Sequence, residues 1–438
     1  MVDNAAGRCL GVDPRRRRSR RQGLVLPAPA DPQRFSSGAL RRCIGIDPDR
    51  FAADYWSVRP LLSLAADLPG PFDDLLTLEN VDELLSRRGL RTPFLRVAKD
   101  GTVVDSARFT GSAGAGADVA DQVIDERVLD LYADGSTLVL QGLHRTWPPL
   151  AELAGRLAAE LGHPVQANAY VTPAEQRGFA AHYDVHDVFV LQLAGTKRWV
   201  VHEPVHPAPL REQPWTQHRA AVAERARDCE PVLDTVLVPG DALYLPRGFV
   251  HAAEALGDVA AHLTVGVHPV TRYAIVQALT RLAATVPELR ASLPLGVDVG
   301  DPAQLAPDLA ATIEALAGWL HTASPTEVAG RLRADAWSAG RPEPIGPLAQ
   351  AAAASTVDAD TQVRLRGRLT HRLKSTSDRI VLELPDRTLS LPAATEPAVK
   401  ALLSGEILAV GALPGLDAAD QITLVRRLLR EAVVVPVR

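Results

Sequence analysis

The chain has 438 residues, 47% apolar and 23% charged, which is the balance of an ordinary folded protein long enough for two to four domains. Its formal net charge of −5 is uneven: residues 1–22 hold seven Arg against Asp3 and Asp13, a local +5, so the rest carries −10. That acidic body argues against a general grip on nucleic acid. The absence of any run of 18 apolar residues argues against a membrane span. Cys9, Cys43 and Cys229 are too scattered for a disulfide framework or a paired-cysteine metal site, and the arginines at 15–21 displace a signal-peptide core, so the expected compartment is the cytoplasm.

In chain order, residues 1–36 read as a disordered basic leader. Helices are expected over 47–58 and 75–85, a strand over 94–97, a helix over 119–131, a strand over 137–140 and an amphipathic helix over 148–161 with Leu150, Leu153, Leu157 and Leu161 on one face. Short strands follow at 165–171, 188–193, 198–201, 235–238, 242–245 and 261–267, punctuated by Gly, Pro and Asp. Regular short strands of this kind predict a double-sheet jelly roll. Residues 204–229 read as a long surface connection that could cover a site. Beyond Pro269, leucine and alanine spacing predicts helices over 273–286, 304–320 and 326–336. A Pro/Gly-rich linker at 340–347 leads to a mixed region with strands at 363–366, 380–384, 388–391 and 433–437 and helices at 396–404 and 417–431. The fold class is α+β, with units at 37–270, 271–345 and 346–438, the last winged-helix-like in outline.

Two stretches carry chemistry. The first, FAAHYDVHDVFVLQLAGTKRW, holds His182 and Asp184 two residues apart; on a strand both side chains would point to one face. The second, PGDALYLPRGFVH, is a turn, a strand and a turn ending on His251. An H-x-D pair alone occurs by chance in a chain with 12 His, but the second stretch adds a third donor where a β-fold can return it to the first. Two imidazoles and a carboxylate suit non-haem Fe(II), because three protein ligands leave three positions open. Lys197 follows a turn at Gly195. A buried ammonium needs an anion, which a dicarboxylate supplies; a solvated turn lysine is the competing reading. His186 would share the ligand face and is read as an outer contact or part of the substrate mouth. Arg247 reads as an exposed turn residue, His262 as a core histidine, and Trp199 and Phe189 as packing.

HYDVHDVFVLQLAGTKRW and PGDALYLPRGFVH together resemble the JmjC-type oxygenases, and among them the ribosomal oxygenases and their bacterial relatives. WSVRPLL, TPFLRVAKDG and GLHRTWPPL extend the resemblance towards the N-terminus. The resemblance implies a double-stranded β-helix of the cupin class, Fe(II) on His182, Asp184 and His251, and Lys197 on the distal carboxylate of 2-oxoglutarate. It places Asn168 and Tyr170 around the cosubstrate and substrate, although ordinary strand polarity explains them too. The family's small hydroxyl residue late in the last strand is absent: Gly266 and Val267 stand there, with Thr264 as a substitute. The implied activity is hydroxylation of an arginine or histidine of a ribosomal protein by molecular oxygen, in a homodimer built through residues 271–345. The alternatives are a hydroxylase of a small molecule or modified peptide, a demethylase, and a non-catalytic cupin that binds nucleic acid. The basic run Arg364, Arg366, Arg368, Arg372 and Lys374 is the feature that would serve the last of these.

Overall fold

The computed structural model describes residues 38–99, 101–116, 118–176, 180–339 and 341–437, without the side chains of 334–339. The expected basic leader lies outside the described residues. The chain divides into two compact units, the first ending at Pro269 and the second beginning at Val270.

The strands of the first unit are β1 (Leu61–Ser63), β2 (Leu95–Lys99), β3 (Thr102–Val103), β4 (Thr110–Gly111), β5 (Gln122–Val123), β6 (Thr137–Leu140), β7 (Val165–Thr172), β8 (Asp187–His202), β9 (Leu233–Leu237), β10 (Ala242–Leu245) and β11 (Val250–Val267). Apart from the small β4–β5 pair they form one antiparallel sheet in the order β1-β10-β8-β11-β7-β6-β2-β3, with β9 also on β8. The long strands β8 and β11 shape it. The first half of β8 pairs with β10 (Leu191 against Ala242) and its second half with β9 (Lys197 against Leu237). The C-terminal half of β11 pairs with β7, and β11 follows β8 almost throughout. The sheet therefore changes partners halfway and folds over, as a jelly roll does. Alternation then sorts the side chains: Phe189 and Leu191 join the large core beneath the helices, whereas Val188 and Val190 join Trp199, Val201 and Leu237 in a smaller one.

The change of partner falls at Gly195. Ala194 faces Ala261 and Thr196 faces Leu256, so residues 257–260 bulge opposite Gly195. A bulge bends a strand without ending it. This corrects the sequence reading of 188–193 and 198–201 as separate strands, and of β11 as beginning at 261, since a glycine inside a strand signals a bulge as well as a stop. Gly195 has φ +58°, and a Cβ there would stand 2.1 Å from the Val259 carbonyl oxygen. Gly195→Ala is expected to destabilise the protein by more than about 1 kcal/mol, through both positive φ and the clash. A urea midpoint unchanged from wild type would refute this.

Helices α1 (Pro48–Asp54), α2 (Leu78–Arg87), α3 (Asp125–Ala133), α4 (Leu143–Thr146) and α5 (Pro148–Leu161) pack on the large core. Asp47 caps α1, and Thr77 with Asn80 forms a capping box on α2. The helix expected from 119 starts only at Asp125. Gln122 and Val123 are strand, and the acidic pair Asp125 and Glu126 opens the helix, where its dipole favours them. The expected surface connection at 204–229 contains a 3-10 turn, Trp215–His218, and helix α6 (Arg219–Asp228).

The second unit holds helices α7 (Arg272–Ala283), α8 (Pro302–Leu320), α9 (Pro325–Ala339), α10 (Pro347–Thr356), α11 (Glu396–Leu403) and α12 (Ala418–Arg430), with strands β12 (Gln362–Leu365), β13 (Arg372–Ser375), β14 (Arg379–Glu383), β15 (Thr388–Pro392), β16 (Leu408–Ala409) and β17 (Val434–Pro436). Its strands form two three-stranded sheets, β16-β12-β17 and β13-β14-β15, around a core that runs from Ala354 to Val434. Three residues of the basic run are committed inside this unit. Both guanidinium nitrogens of Arg364 reach the Glu343 carboxylate at 2.8 Å, the Arg366 side chain donates to the Glu343 carbonyl, and Lys374 pairs with Glu383. Among the described residues no helix is long and apolar enough to cross a membrane.

Candidate metal centre

His182 and Asp184 lie in the loop before β8, not on a strand as expected from the sequence. His182 nonetheless makes an isolated antiparallel bridge to His251: its N–H donates to the His251 carbonyl at 3.1 Å, and the His251 N–H donates back at 2.8 Å. One residue on, Tyr183 is turned inward and 1% exposed. Strand-like alternation is thus imposed locally by the His251 backbone. The second motif also holds the first. The Gly248 N–H donates to the Asp184 carbonyl at 3.0 Å, and the Arg247 N–H donates to the Asp187 carboxylate at 2.8 Å. Asp241 ties the PGD turn, accepting from the Val238 N–H and, with its other oxygen, from the Ala65 N–H.

Asp187, fully buried, takes further donors from the Ser57 and Tyr244 hydroxyls, each at 3.0 Å. Arg247, expected to be exposed, has a side chain only 11% exposed and 3.7 Å from Asp187. Its guanidinium also donates to the Ser57 hydroxyl and the Pro209 carbonyl, from segments distant in sequence. WSVRPLL thus braces the turn beside the site.

The ligand atoms of His182, Asp184 and His251 all lie within 4.8 Å of one another. In each histidine Nδ1 meets the carbonyl two residues earlier, Ala180 at 2.8 Å and Phe249 at 3.0 Å. A carbonyl accepts only from an N–H, so each ring carries its proton on Nδ1 and presents Nε2 as a lone pair. The His251 Nε2 stands 3.7 Å from the Asp184 carboxylate. Burial pushes the His251 imidazolium down to about 4. Burial alone would raise the Asp184 carboxyl, but His186, His251, His182 and Arg96 hold it below its ordinary range. Two neutral imidazoles and a carboxylate are the protonation states a divalent cation requires, and the geometry leaves one side of the set open.

That side opens into a cavity of about 230 Å³ lined by the three candidates with Arg96, Tyr170, Lys197, Trp199, Trp215, His262 and Thr264. Lys197 is on the same strand as Trp199, not beyond a turn, and is 2% exposed. Its ammonium donates to the Thr172 hydroxyl at 3.1 Å and lies 3.5 Å from His262 Nδ1. Burial pushes it down to about 7. In the free protein, the folded state therefore binds fewer protons than the unfolded chain between about pH 7 and the ordinary lysine value of 10.5, so this group makes stability rise with pH across that window. Binding of a dianion needs the charged form. Affinity for a dianion held by Lys197, such as the 2-oxoglutarate expected from the sequence, would therefore fall as pH rises above 7, by up to about tenfold per unit. Calorimetric titrations of metal-loaded protein from pH 6.5 to 9 test this; a flat profile would mean that Lys197 does not meet the anion.

Tyr170 stacks on His262 with ring centres 5.0 Å apart, and burial raises its phenol to about 12. His262, read as a core histidine, is thus part of the cavity wall, and burial keeps it neutral. Asn168 shares the strand, and its side-chain oxygen accepts the Gly142 N–H at 3.0 Å, which secures the turn into α4. Thr264 does line the cavity. Gly266 has a steric reason: a Cβ would stand 2.5 Å from the His186 ring, which stacks on His268 and lies 3.3 Å from Gln166. Sequence reasoning missed Arg96, Thr172 and Trp215. Thr172 was within reach, two residues beyond Tyr170 on one strand face. Arg96 and Trp215 enter from distant segments and leave no local signal.

Residues 148–275 match the family model of the JmjC domain, a span that holds all three candidate ligands and Lys197. This part of the chain is similar to the JmjC domain. The chain is similar to Ribosomal oxygenase 1 of Gallus gallus, 31% identical over 219 residues that cover 50% of this chain and 34% of the relative. A second relative is the bifunctional lysine-specific demethylase and histidyl-hydroxylase NO66 of Aedes aegypti, 27% identical over 258 residues, 56% of this chain and 38% of the relative. The chain thus spans only a little over a third of the length of these relatives. The solved structure of YcfD from E. coli superposes with a TM-score of 0.51 at 16% identity, covering 90% of this chain and 98% of YcfD, which shows a shared fold around the JmjC domain.

Proposed function

We propose that the chain is an Fe(II)- and 2-oxoglutarate-dependent dioxygenase of the cytoplasm that hydroxylates an arginine or histidine side chain of a ribosomal protein. The observation that carries this reading is the pairing of two Nε2-presenting histidines and Asp184 with a buried lysine across one cavity. His182, Asp184 and His251 would hold Fe(II). Bound Fe(II) supplies the chemistry that couples decarboxylation of 2-oxoglutarate to succinate with insertion of one oxygen atom of O2 into a C–H bond. The chain's own residues do the rest. Lys197, with the Thr172 hydroxyl, receives the distal carboxylate. Tyr170, with Asn168 behind it on β7, walls the cosubstrate. The two i−2 carbonyls fix the imidazole tautomers, and the β8–β11 sheet excludes water from behind. The name of the relative Ribosomal oxygenase 1 supports a ribosomal substrate, and an acidic body would complement basic ribosomal proteins.

The experiment measures succinate release from 2-oxoglutarate with Fe(II), with and without purified ribosomal proteins, followed by mass spectrometry for added oxygen. Stimulated turnover with a hydroxylated Arg or His is expected, and none in His182→Ala. Unstimulated turnover would move the substrate to a small molecule, and no metal-dependent turnover would end the enzyme reading. We read residues 346–438 as a winged-helix-like module and 271–345 as a homodimerisation surface. Helix α8 has no buried residue, and Tyr273, Val276, Leu309 and Ile313 are exposed, an apolar face that a second copy would cover. Light scattering at twice the chain mass supports the dimer; a monomer at micromolar concentration would overturn it.

A further inference from the structure

The segment between β8 and β9 is clamped to the back of the metal-ligand stretch. The Tyr183 hydroxyl donates to the Gln213 carbonyl at 3.0 Å, and Tyr183 packs in a buried cluster with Val222 and Val250. The Gln213 side chain accepts the Leu210 N–H at 2.9 Å and lies 3.1 Å from His206 Nε2. The Arg247 guanidinium donates to the Pro209 carbonyl at 3.2 Å. Contact is close enough that a Cβ on Gly248 would meet the His206 carbonyl oxygen and Pro209 at 2.8 Å.

From this clamped segment Trp215 reaches the metal cavity. Its ring centre lies 6.2 Å from that of His182, and the Arg219 guanidinium carbon sits 4.9 Å over the indole. Contacts along the cavity run in a definite order. The Lys197 ammonium is 3.5 Å from His262, and the ring centres then step from His262 to Trp199 (5.4 Å), His251 (5.9 Å), His182 (4.5 Å) and Trp215 (6.2 Å). In this series of contacts the metal ligands come after Lys197 and before Trp215. A cosubstrate that spanned Lys197 and the metal would contact the Lys197 end of this series, and Trp215 lines the cavity next to His182 at its other end.

We infer that Trp215 is a specificity-determining wall at that other end, a π surface that receives a planar side chain, imidazole or guanidinium, for reaction at the metal. The inference rests on the proposed oxygenase function and names the side-chain class it takes. An indole favours stacked planar groups and cations over its face, and Arg219 shows that this ring already accepts a guanidinium. The clamp fixes the ring before substrate arrives, which is what a positioning wall requires.

Two measurements test it. In the first, Co(II) alone is titrated against wild type and Trp215→Phe while indole emission is followed. A large part of the quench is expected to vanish in the variant at an unchanged midpoint; equal quenching in both proteins overturns the placement. In the second, 2-oxoglutarate binding to the Co(II) form and hydroxylation of ribosomal protein per succinate released by the Fe(II) form are compared in wild type, Trp215→Ala and Trp215→Phe. Binding is expected to stay within about twofold, while hydroxylation per succinate falls about tenfold in the Ala variant and is largely restored in the Phe variant. Lost 2-oxoglutarate binding, or an unchanged hydroxylation ratio, overturns the inference. Absence of Fe(II)-dependent turnover in wild type, with the quench difference intact, overturns the oxygenase reading, and the substrate class falls with it.

Discussion

Replacing His182 by alanine is expected to weaken Co(II) or Fe(II) binding by on the order of a thousandfold, because even loss of a partner outside the ligand set costs about 10–100-fold. The ring is half-buried and its backbone bridge to His251 does not depend on the side chain, so the fold should survive. Metal should raise the melting temperature of wild type, since a ligand that binds only the folded state stabilises it, and should not raise that of the variant. Calorimetry and thermal melts with and without Co(II) make the comparison. Retention of wild-type affinity would place the metal elsewhere.

The second large effect concerns Lys197 and has opposite signs in two assays. In the free protein its ammonium is buried against the Thr172 hydroxyl and His262. Lys197→Met removes that desolvated charge and fills similar volume, so the melting temperature of the free protein is expected to hold or rise. With 2-oxoglutarate the same change leaves a buried carboxylate without its cation, a loss of about 3–5 kcal/mol, or roughly a hundredfold to a few thousandfold in affinity. A binding titration beside a melt separates the two. Loss of stability without loss of binding would make Lys197 a structural residue and return the distal carboxylate to another cation, for which Arg96 is the candidate in the same cavity.

Residues 148–161 and 137–140 were legible to the residue, because an apolar stripe between Pro148 and Gly162 and a four-residue strand between turn signals depend on neighbours in sequence. The three ligand candidates and Lys197 were legible as residue types in a pattern. Their mutual placement was not. His182 and Asp184 sit in a loop, and the bridge to His251, a residue 69 positions away, gives that loop its alternation. Gly195 read as a turn, yet it lies opposite a bulge, because pairing of β8 with β11 was invisible locally. Arg247 read as an exposed turn charge, yet Asp187, Ser57 and Pro209 enclose it.

The sequence by itself therefore determined which donors exist and at what spacing, since those properties are set by residue type and order along the chain. The tertiary structure decided which of them meet. Burial of Lys197, the roles of His262, Arg96 and Trp215 in the cavity wall, and the glycine at 266 all arise where segments far apart in the chain close on one another. Packing and desolvation between such segments carry no signature in either one alone, so only the folded chain could assign them.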